Sequence, residues 1–393
     1  MNYTKEIINR IDFEVDHIEI EKRKERIRKI WDYERVDHVP LGLYVLDNKA
    51  GFLRQEIEKE KQKNLKFDLD SIKKSLELLK DDYIPFLKPE TGCASVPSIL
   101  GCGVDYTEGF SNFSTVKEPI ILNVNDLEKL YIPVDEKEII SKGLMPLNLE
   151  KISYYHDIAG DIFDMTGIDI GGVMCGSADI MDTGFFYMSL ITEKERMLAY
   201  LEKLSELYLR VYTILVDQIG GLKKMTNIEW DVSWYPDGRK GYVSDDPSAN
   251  FGPDTFEVFS KPFSKKIYEK FGFGGFHNCG PHPCASRYLD YGSNSLKAIN
   301  SSLKCTYGLL DSFMDNFTGR ETVLYFLIEE EYYDCAKAVQ MYEELAQKGA
   351  ERNLVCIPSY ALDTSIHSDD EIRQTFEEFF KISKEYCRSL RLK

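Results

Sequence analysis

The segment Gly275–Cys284, which reads GFHNCGPHPC, is the most informative part of the sequence. Its apolar start is typical of a short buried strand, and the Gly280-Pro281 pair ends that strand at once. His277 and Cys279 lie two positions apart, so their side chains face the same side of the strand. The pair is therefore predicted at the carboxyl end of a strand, which in a (β/α)8 barrel is the active-site rim.

Strand-like and helix-like segments alternate on both sides of this stretch. Upstream, residues 36–45 form an apolar run that predicts a strand, and residues 193–216 carry apolar residues at helical spacing. Gly167–Val173 and Met225–Val232 are also predicted as strands. Downstream, residues 322–328 and 353–357 are strand-like, and residues 369–392 predict a closing helix. Such alternation indicates a parallel sheet with crossover helices.

A doubly wound sheet and a closed barrel both fit this alternation. No GxGxxG or GxxxxGK[ST] motif follows a predicted strand, so a Rossmann or P-loop nucleotide site is not indicated. We therefore expect an α/β protein that forms a single (β/α)8 TIM barrel over residues 36–393. Residues 1–35 are charged and helix-like, and we expect an N-terminal helical extension there.

Composition and charge exclude several classes of protein. The 393 residues are 43% hydrophobic, which supplies a large core and excludes disorder as the dominant state. A formal net charge of −17 argues against binding nucleic acid or an anionic membrane surface. The longest clearly apolar run, residues 323–328, is far shorter than the ~20 residues of a membrane-spanning helix.

The N-terminal region and the cysteines predict a cytoplasmic protein. Residues 1–26 are charged throughout and lack the apolar segment of a signal peptide. The nine cysteines are odd in number and show no spacing typical of a small disulfide-bonded domain. We therefore expect reduced thiols.

His277 and Cys279 are candidate zinc ligands, because Zn²⁺ prefers imidazole nitrogen and thiolate sulfur. A later predicted strand ends with Cys356, and strand ends converge in a barrel. Cys356 is thus predicted to complete a set of three ligands with one open position, as in catalytic zinc sites. The alternative is that an isolated strand cysteine is a small buried hydrophobe. His282 and Cys284, in a proline-flanked turn, are reserve ligands.

Two further groups of polar residues follow predicted strands. Asp245 and Asp246 are candidates for acid/base work, since paired acids can share a proton. Asp246 is the predicted catalytic residue of the two, and helix capping is the alternative role for both. Ser177 and Asp179 are predicted to line the substrate pocket.

Three more residues are predicted to contact substrate. Tyr44 and Asp47 follow the first strand of the predicted barrel. Trp230 lies near another predicted strand end, where it is expected to form the wall of a pocket for an aromatic face. A place in the core is the alternative for Trp230.

The H-x-C-G motif at His277–Gly280, followed by Cys356, resembles the zinc-binding residues of cobalamin-dependent methyltransferases of the uroporphyrinogen decarboxylase superfamily. The methylcobamide:coenzyme M methyltransferases and the corrinoid O-demethylase methyltransferases belong to that branch. The resemblance covers nearly the whole chain. Residues 22–40 resemble the opening helix and first strand, and residues 245–263 resemble the segment before the H-x-C-G strand.

The resemblance implies a zinc-dependent methyltransferase whose site lies at the mouth of the barrel. The enzyme would move a methyl group between a small molecule and a corrinoid carried on a partner protein. The small molecule is either a thiol acceptor or a methyl ether or other methylated donor. No corrinoid-binding D-x-H-x-x-G segment occurs in the chain, so the cobalamin is expected to arrive on the partner.

The sequence departs from the family at one ligand. Some members supply a glutamate ligand from the strand after H-x-C-G, whereas residues 296–302 contain no carboxylate. The fourth position is then left to water, to substrate, or to a carboxylate from elsewhere such as Asp246.

Two alternative functions remain open from the sequence. A decarboxylase-like enzyme without metal would need arginines after the first strand to hold propionates, and none occurs there before Arg54. A non-catalytic barrel that binds a ligand or partner would retain its thiols as core residues.

Overall fold

The computed structural model describes residues 11–79, 82–106, 113–329 and 334–393. The α-helices of this part of the chain are α1 (His17–Trp31), α2 (Arg54–Lys59), α3 (Lys61–Leu78), α4 (Ser95–Ile99), α5 (Val124–Lys129), α6 (Glu136–Ile140), α7 (Met145–Ala159), α8 (Val173–Ile180), α9 (Thr183–Thr192), α10 (Lys194–Ile219), α11 (Pro253–Phe259), α12 (Lys261–Phe271), α13 (Leu303–Thr306), α14 (Leu310–Asp315), α15 (Cys335–Arg352) and α16 (Asp369–Ser389). The strands are β1 (Gly42–Leu46), β2 (Phe86–Leu87), β3 (Val104–Asp105), β4 (Thr115–Val116), β5 (Asp164–Met165), β6 (Tyr242–Ser244), β7 (Gly275–His277), β8 (Asp290–Tyr291), β9 (Asn294–Ser295), β10 (Ala298–Ser302), β11 (Val323–Ile328) and β12 (Val355–Asp363).

Six of these strands form one parallel sheet in the order β1-β12-β11-β10-β7-β6. A separate parallel pair joins β2 to β5, and a parallel bridge joins Met165 to Met225. The protein is therefore a mixed α/β fold with a parallel sheet, as the alternation of segments predicts. The hydrogen-bonded ladder covers six strands, so closure into an eight-stranded barrel stays a prediction.

The central strands are buried on both faces because helices cover the sheet. All residues of β10 are buried, and β11, which reads VLYFLI, is buried at every position but one. A continuous apolar run is the pattern expected of such a strand. The helices carry the complementary pattern. In α10, apolar side chains at spacings of three and four face the core, and the helix ends at Gly220 with a φ of 103°.

Helix α1 packs against the amino-terminal end of the sheet. Trp31 lies at its last position and donates a hydrogen bond from Nε1 to the Tyr325 hydroxyl of β11 at 2.9 Å. Tyr33 follows the helix and donates to the carbonyl of Thr322, the residue before β11. The predicted boundary at residue 36 falls between α1 and β1. Helix α1 therefore does not cover the carboxyl ends of the strands.

Two predicted strand segments are wrong. Gly167–Val173 was expected as a strand, but the strand ends at Met165 and α8 begins at Val173. Met225–Val232 contributes only the bridge at Met225. Gly167 explains why no strand forms at this point, since a Cβ there would lie 2.0 Å from the Ile228 carbonyl oxygen. The backbones approach each other there more closely than side chains in a regular strand permit.

In the part of the chain that the structure describes, no helix combines the length and the apolar character needed to cross a membrane.

Candidate metal centre

A cavity of about 880 Å³ opens at the carboxyl ends of the parallel strands. Its wall includes Tyr44 of β1, Ser244 of β6, His277 of β7, Ile328 of β11 and Ala361 of β12. The volume falls within the range of ~300–1,000 Å³ that is typical of small-molecule sites. Strand ends from across the sheet therefore converge on one pocket.

Three potential metal ligands meet on one side of this cavity. His277 Nε2 lies 3.2 Å from Cys279 Sγ and 3.6 Å from Asp246 Oδ1. The three donor atoms all lie within 4.8 Å of one another. Among the described residues, this is the one group of three or more His, Cys, Asp or Glu side chains with such spacing. Imidazole nitrogen, thiolate sulfur and carboxylate oxygen form a donor set that suits Zn²⁺ with a fourth position open.

Local hydrogen bonds fix the turn that follows β7. The Asn278 side-chain amide donates to Ser248 Oγ at 2.6 Å and to the Asp245 carbonyl at 3.0 Å. The backbone N–H of Gly280 donates in turn to Asn278 Oδ1 at 2.7 Å. Gly280 has a φ of 112°, a conformation that side chains other than glycine rarely adopt. Asn278 therefore ties the loop after β6 to the end of β7, beside Cys279.

Burial and then the neighbouring Asp246 carboxylate raise the pKa of the Cys279 thiol. The thiol is thus protonated at neutral pH in the metal-free protein. A divalent cation reverses this balance, because coordination deprotonates a thiol. The donor set fits a zinc ion chemically, and the thiol proton is what the ion would displace.

The imidazole of His277 is held on two sides. Its Nδ1 lies 2.7 Å from Asn300 Oδ1, and Asn300 stands directly opposite His277 in the ladder between β7 and β10. The Trp230 ring packs edge-on against the imidazole, with centroids 5.2 Å apart and planes at 86°. The Trp230 indole N–H donates to Ser244 Oγ at 2.9 Å. No local pattern in the sequence indicates Asn300, because only the register between the strands pairs it with His277.

Cys356 does not join this group, which corrects the predicted set of ligands. It is fully buried on β12, and its backbone N–H donates to the Tyr386 hydroxyl of α16 at 3.0 Å. A Cβ placed on Gly349 of α15 would lie 3.0 Å from Cys356 Sγ. The thiol therefore faces the helices outside the sheet, where burial raises its pKa to about 12. The alternative role, a small buried hydrophobe, describes this position.

The error in placing Cys356 comes from the length of β12. The strand was expected to end at Ile357, but it continues to Asp363. Its cavity-lining residues are Ser359, Ala361 and Asp363, all at odd positions. Because side chains alternate along a strand, the even-numbered Cys356 points to the opposite face. Asp363 is the β12 residue that reaches the cavity at the carboxyl end.

The reserve ligands lie outside the group as well. His282 Nε2 lies 2.8 Å from Ser301 Oγ and 3.0 Å from Thr306 Oγ1, and burial lowers its pKa to about 3. Cys284 is buried and donates to the Phe251 carbonyl at 3.1 Å. Both side chains stabilise the turn after β7 and its neighbours.

Four of the predicted contact residues line the cavity, and three do not. Those that line it are Tyr44, Asp179, Trp230 and Asp246. Asp47, Ser177 and Asp245 are absent from the described lining residues, and each has a structural partner. Asp47 accepts from Thr364 Oγ1 at 2.8 Å, Ser177 donates to the Val173 carbonyl at 2.7 Å, and Asp245 accepts from the Ser260 hydroxyl.

The placement of Ser177 follows from the helix that replaces the predicted strand. Val173–Ile180 forms α8, so Ser177 and Asp179 lie on different sides of a helix. Ser177 is fully buried, whereas the Asp179 carboxyl is open to the cavity. Partial desolvation inside the cavity, followed by the charges of Asp169 and Asp246, raises the pKa of Asp179 to about 7.

A cluster of ion pairs lies on another part of the cavity wall, and the sequence did not predict it. Arg54 and Lys88 line the cavity, and both form ion pairs with Glu90, the Lys88 pair at 2.7 Å. Arg54 also pairs with Glu58 at 3.3 Å. Arg54 and Glu58 belong to α2, whereas Lys88 and Glu90 follow β2, so no sequence spacing indicates that the two pairs meet.

Comparisons with known proteins bear on the fold. No protein-family model matches the sequence, and a search of curated proteins finds no match either. The structure is similar to that of a methyltransferase from Methanosarcina mazei, with a TM-score of 0.66. The alignment covers 91% of this chain and 98% of the other, at 16% sequence identity. At that identity the likeness shows a shared fold.

Proposed function

We propose that the protein is a zinc-dependent methyltransferase that moves a methyl group between a small molecule and a corrinoid carried on a partner protein. The observation that carries the proposal is the convergence of Asp246, His277 and Cys279 at one side of the cavity. The fold shared with a methyltransferase supports it. So does the likeness of the H-x-C-G motif to the cobalamin-dependent branch of the uroporphyrinogen decarboxylase superfamily.

The proposal includes the architecture and the setting of that family. We propose that the strands close into a (β/α)8 barrel, with β2 and β5 as the seventh and eighth strands in the arc between β1 and β6. The parallel pair β2–β5 and the bridge from Met165 to Met225 support this closure. The reduced cysteines fit a cytoplasmic enzyme.

In this proposal Asp246 is a metal ligand beside His277 and Cys279. Its carboxylate oxygen lies where the third ligand is needed, while Cys356 faces the helices. A zinc ion at this position would lower the pKa of a bound thiol or polarise an ether oxygen. The chain's own side chains then bind and orient the small molecule and exclude water.

Aromatic and acidic side chains supply those further roles. Tyr44 and Trp230 provide apolar walls for the body of the substrate. Asp179 faces the cavity with a pKa of about 7, so its carboxyl can hold a proton for exchange with substrate near neutral pH. The thiol acceptor and the methyl ether or other methylated donor both remain within this scheme.

Zinc content tests the proposal first. Protein purified without chelator and without an affinity tag should hold one zinc ion per chain. Cys279→Ser and Asp246→Ala should lose it, whereas Cys356→Ser should retain it. Wild-type protein without stoichiometric zinc after incubation with the metal would overturn the metal-dependent function.

A methyl-transfer assay then tests the reaction and its direction. The cobalamin absorption spectrum is followed with thiols as acceptors, and separately with phenyl or alkyl methyl ethers as donors. Zinc-loaded protein that is inactive in both modes would favour the non-catalytic binding protein.

The decarboxylase-like alternative depends on Arg54. This arginine does line the cavity, but it shares Glu90 with Lys88, and the acids Asp169 and Asp179 face the same space. Because its positive and negative side chains offset each other, this cavity wall is poorly suited to binding several propionates. Decarboxylation of a porphyrinogen by metal-free protein would establish the alternative.

A further inference from the structure

His277 is the first member of a buried chain of polar side chains that leads away from the cavity. His277 Nδ1 lies 2.7 Å from Asn300 Oδ1, and Asn300 Nδ2 lies 3.5 Å from Asp231 Oδ2. Asn300 and Asp231 are fully buried, and His277 is only 3% exposed. The three residues come from β7, from β10 and from the loop before β6. They form one relay across three segments of the chain.

The direction of each hydrogen bond in the relay can be assigned. A carboxylate only accepts, so Asp231 must face the NH2 group of the Asn300 amide. Two further donors are directed at the same carboxylate, the Ser233 backbone N–H at 3.0 Å and the Tyr235 hydroxyl at 3.3 Å. The opposite end of the Asn300 amide is its carbonyl oxygen, which therefore faces His277. That oxygen accepts from Nδ1–H, and the proton of the imidazole is placed on Nδ1.

The other ring nitrogen of His277, Nε2, then directs its lone pair toward the candidate metal ligands. His277 Nε2 is the atom that lies beside Cys279 Sγ and Asp246 Oδ1. A neutral imidazole carries one proton, so the bond at Nδ1 leaves Nε2 unprotonated. The edge-on contact with Trp230 limits rotation of the ring on its other side.

We infer that Asp231 and Asn300 are positioning residues, which hold His277 in the Nδ1–H tautomer with Nε2 aimed at Asp246 and Cys279. The consequence for metal affinity rests on the proposed function, whereas the tautomer itself is a property of the metal-free protein. Partners behind a histidine ligand typically change metal affinity by about 10- to 100-fold. Asn300 thus occupies the strand position opposite His277 without being a ligand itself.

The tautomer is measured directly by NMR of ¹⁵N-histidine-labelled, metal-free protein at pH 8. The chain has six histidines, and a His277→Gln sample assigns the signal. Wild-type protein should show His277 with a protonated Nδ1 and an unprotonated Nε2. Asn300→Leu removes the oxygen that accepts from Nδ1–H of His277. Asp231→Asn allows the Asn300 side-chain amide to rotate and exchange its oxygen and nitrogen positions. Both variants should show a mixture of tautomers.

Zinc affinity, measured by competition with a chromophoric chelator, is the second readout. Asn300→Leu and Asp231→Asn should bind zinc about 10- to 100-fold more weakly than wild type. Asn148→Leu is the matched control, since Asn148 is another fully buried amide, bonded to Thr91 and Ser95. The control should lose stability but keep the His277 tautomer and the zinc affinity.

The outcomes separate this inference from the proposed function. An Nε2–H tautomer in the wild type would overturn the relay, and so would an Asn300→Leu variant with unchanged tautomer and affinity. A wild type with the Nδ1–H tautomer that binds no zinc would support the relay and overturn the metal-dependent function. If Asn300→Leu does not fold, the isosteric Asp231→Asn variant decides.

Discussion

Asp246 Oδ1 accepts a hydrogen bond from the backbone N–H of Cys279 at 2.7 Å, although the two residues are 33 positions apart. The same oxygen lies 3.6 Å from His277 Nε2. One carboxylate therefore joins the turn after β6 to the end of β7 and faces both ring and thiol. A single oxygen in that position can either fix the loop or share a metal ion.

Asp246→Ala should abolish tight zinc binding while leaving the fold intact. The side chain is half-exposed in the cavity, so its removal leaves no buried gap, but it removes one of three donor atoms. We expect zinc affinity to fall at least 100-fold, measured by chelator competition. Asp217→Ala, at an exposed position of α10, is the control and should bind zinc like the wild type. Equal affinities for the two variants would remove Asp246 from the ligand set.

Cys279→Ser and Cys356→Ser should have opposite effects. Cys279→Ser replaces a ligand and should lose zinc with little change in stability. Cys356→Ser places a hydroxyl in an apolar layer, which costs about 1–3 kcal/mol unless it finds a partner, but it should keep the zinc. Metal analysis and thermal unfolding of both proteins check this. Loss of zinc from correctly folded Cys356→Ser would contradict the placement of this thiol.

Gly167→Ala should destabilise the protein strongly. The added Cβ would lie 2.0 Å from the Ile228 carbonyl oxygen, a backbone atom that cannot move without shifting the segment next to β5. Overpacking of this kind costs about 1–3 kcal/mol or more. Gly308→Ala is the control, because a Cβ there meets nothing within 4 Å. Denaturant unfolding should show a lower midpoint for Gly167→Ala alone, and similar midpoints would contradict the close approach.

Lys240→Met should flatten the dependence of stability on pH between about 7 and 10.5. Burial lowers the pKa of Lys240 to about 7, while its ammonium donates to the Met225 carbonyl at 2.8 Å. In that interval Lys240 is protonated in the unfolded chain but neutral in the folded protein. The free energy of unfolding of the wild type therefore rises with pH. A full proton corresponds to about 1.4 kcal/mol per pH unit.

Urea unfolding of both proteins at pH 7.5, 8.5 and 9.5 measures the difference in slope. The wild type should gain stability relative to Lys240→Met at each step. Parallel curves for the two proteins would show that Lys240 does not change its protonation on folding.

Segments with strong local patterns were predicted well from the sequence. The helical spacing of residues 193–216 corresponds to α10, and the apolar run at 322–328 corresponds to β11. Both signals arise within one segment, where the hydrophobic period depends on the local backbone alone. The strand prediction for Gly167–Val173 was wrong because its glycines allow a close approach to another segment. A local sequence pattern does not reveal such an approach.

The sequence by itself determined that His277 and Cys279 come together where a strand ends, because the apolar run and the Gly280-Pro281 break lie in one short stretch. Only the tertiary structure decided what joins them. Asp246 and Asn300 reach His277 through the register of β6, β7 and β10. Cys356 is turned away because it alternates with the residues of β12 that line the cavity. Register and strand length depend on packing between segments, and a shift of one residue moves every side chain to the opposite face.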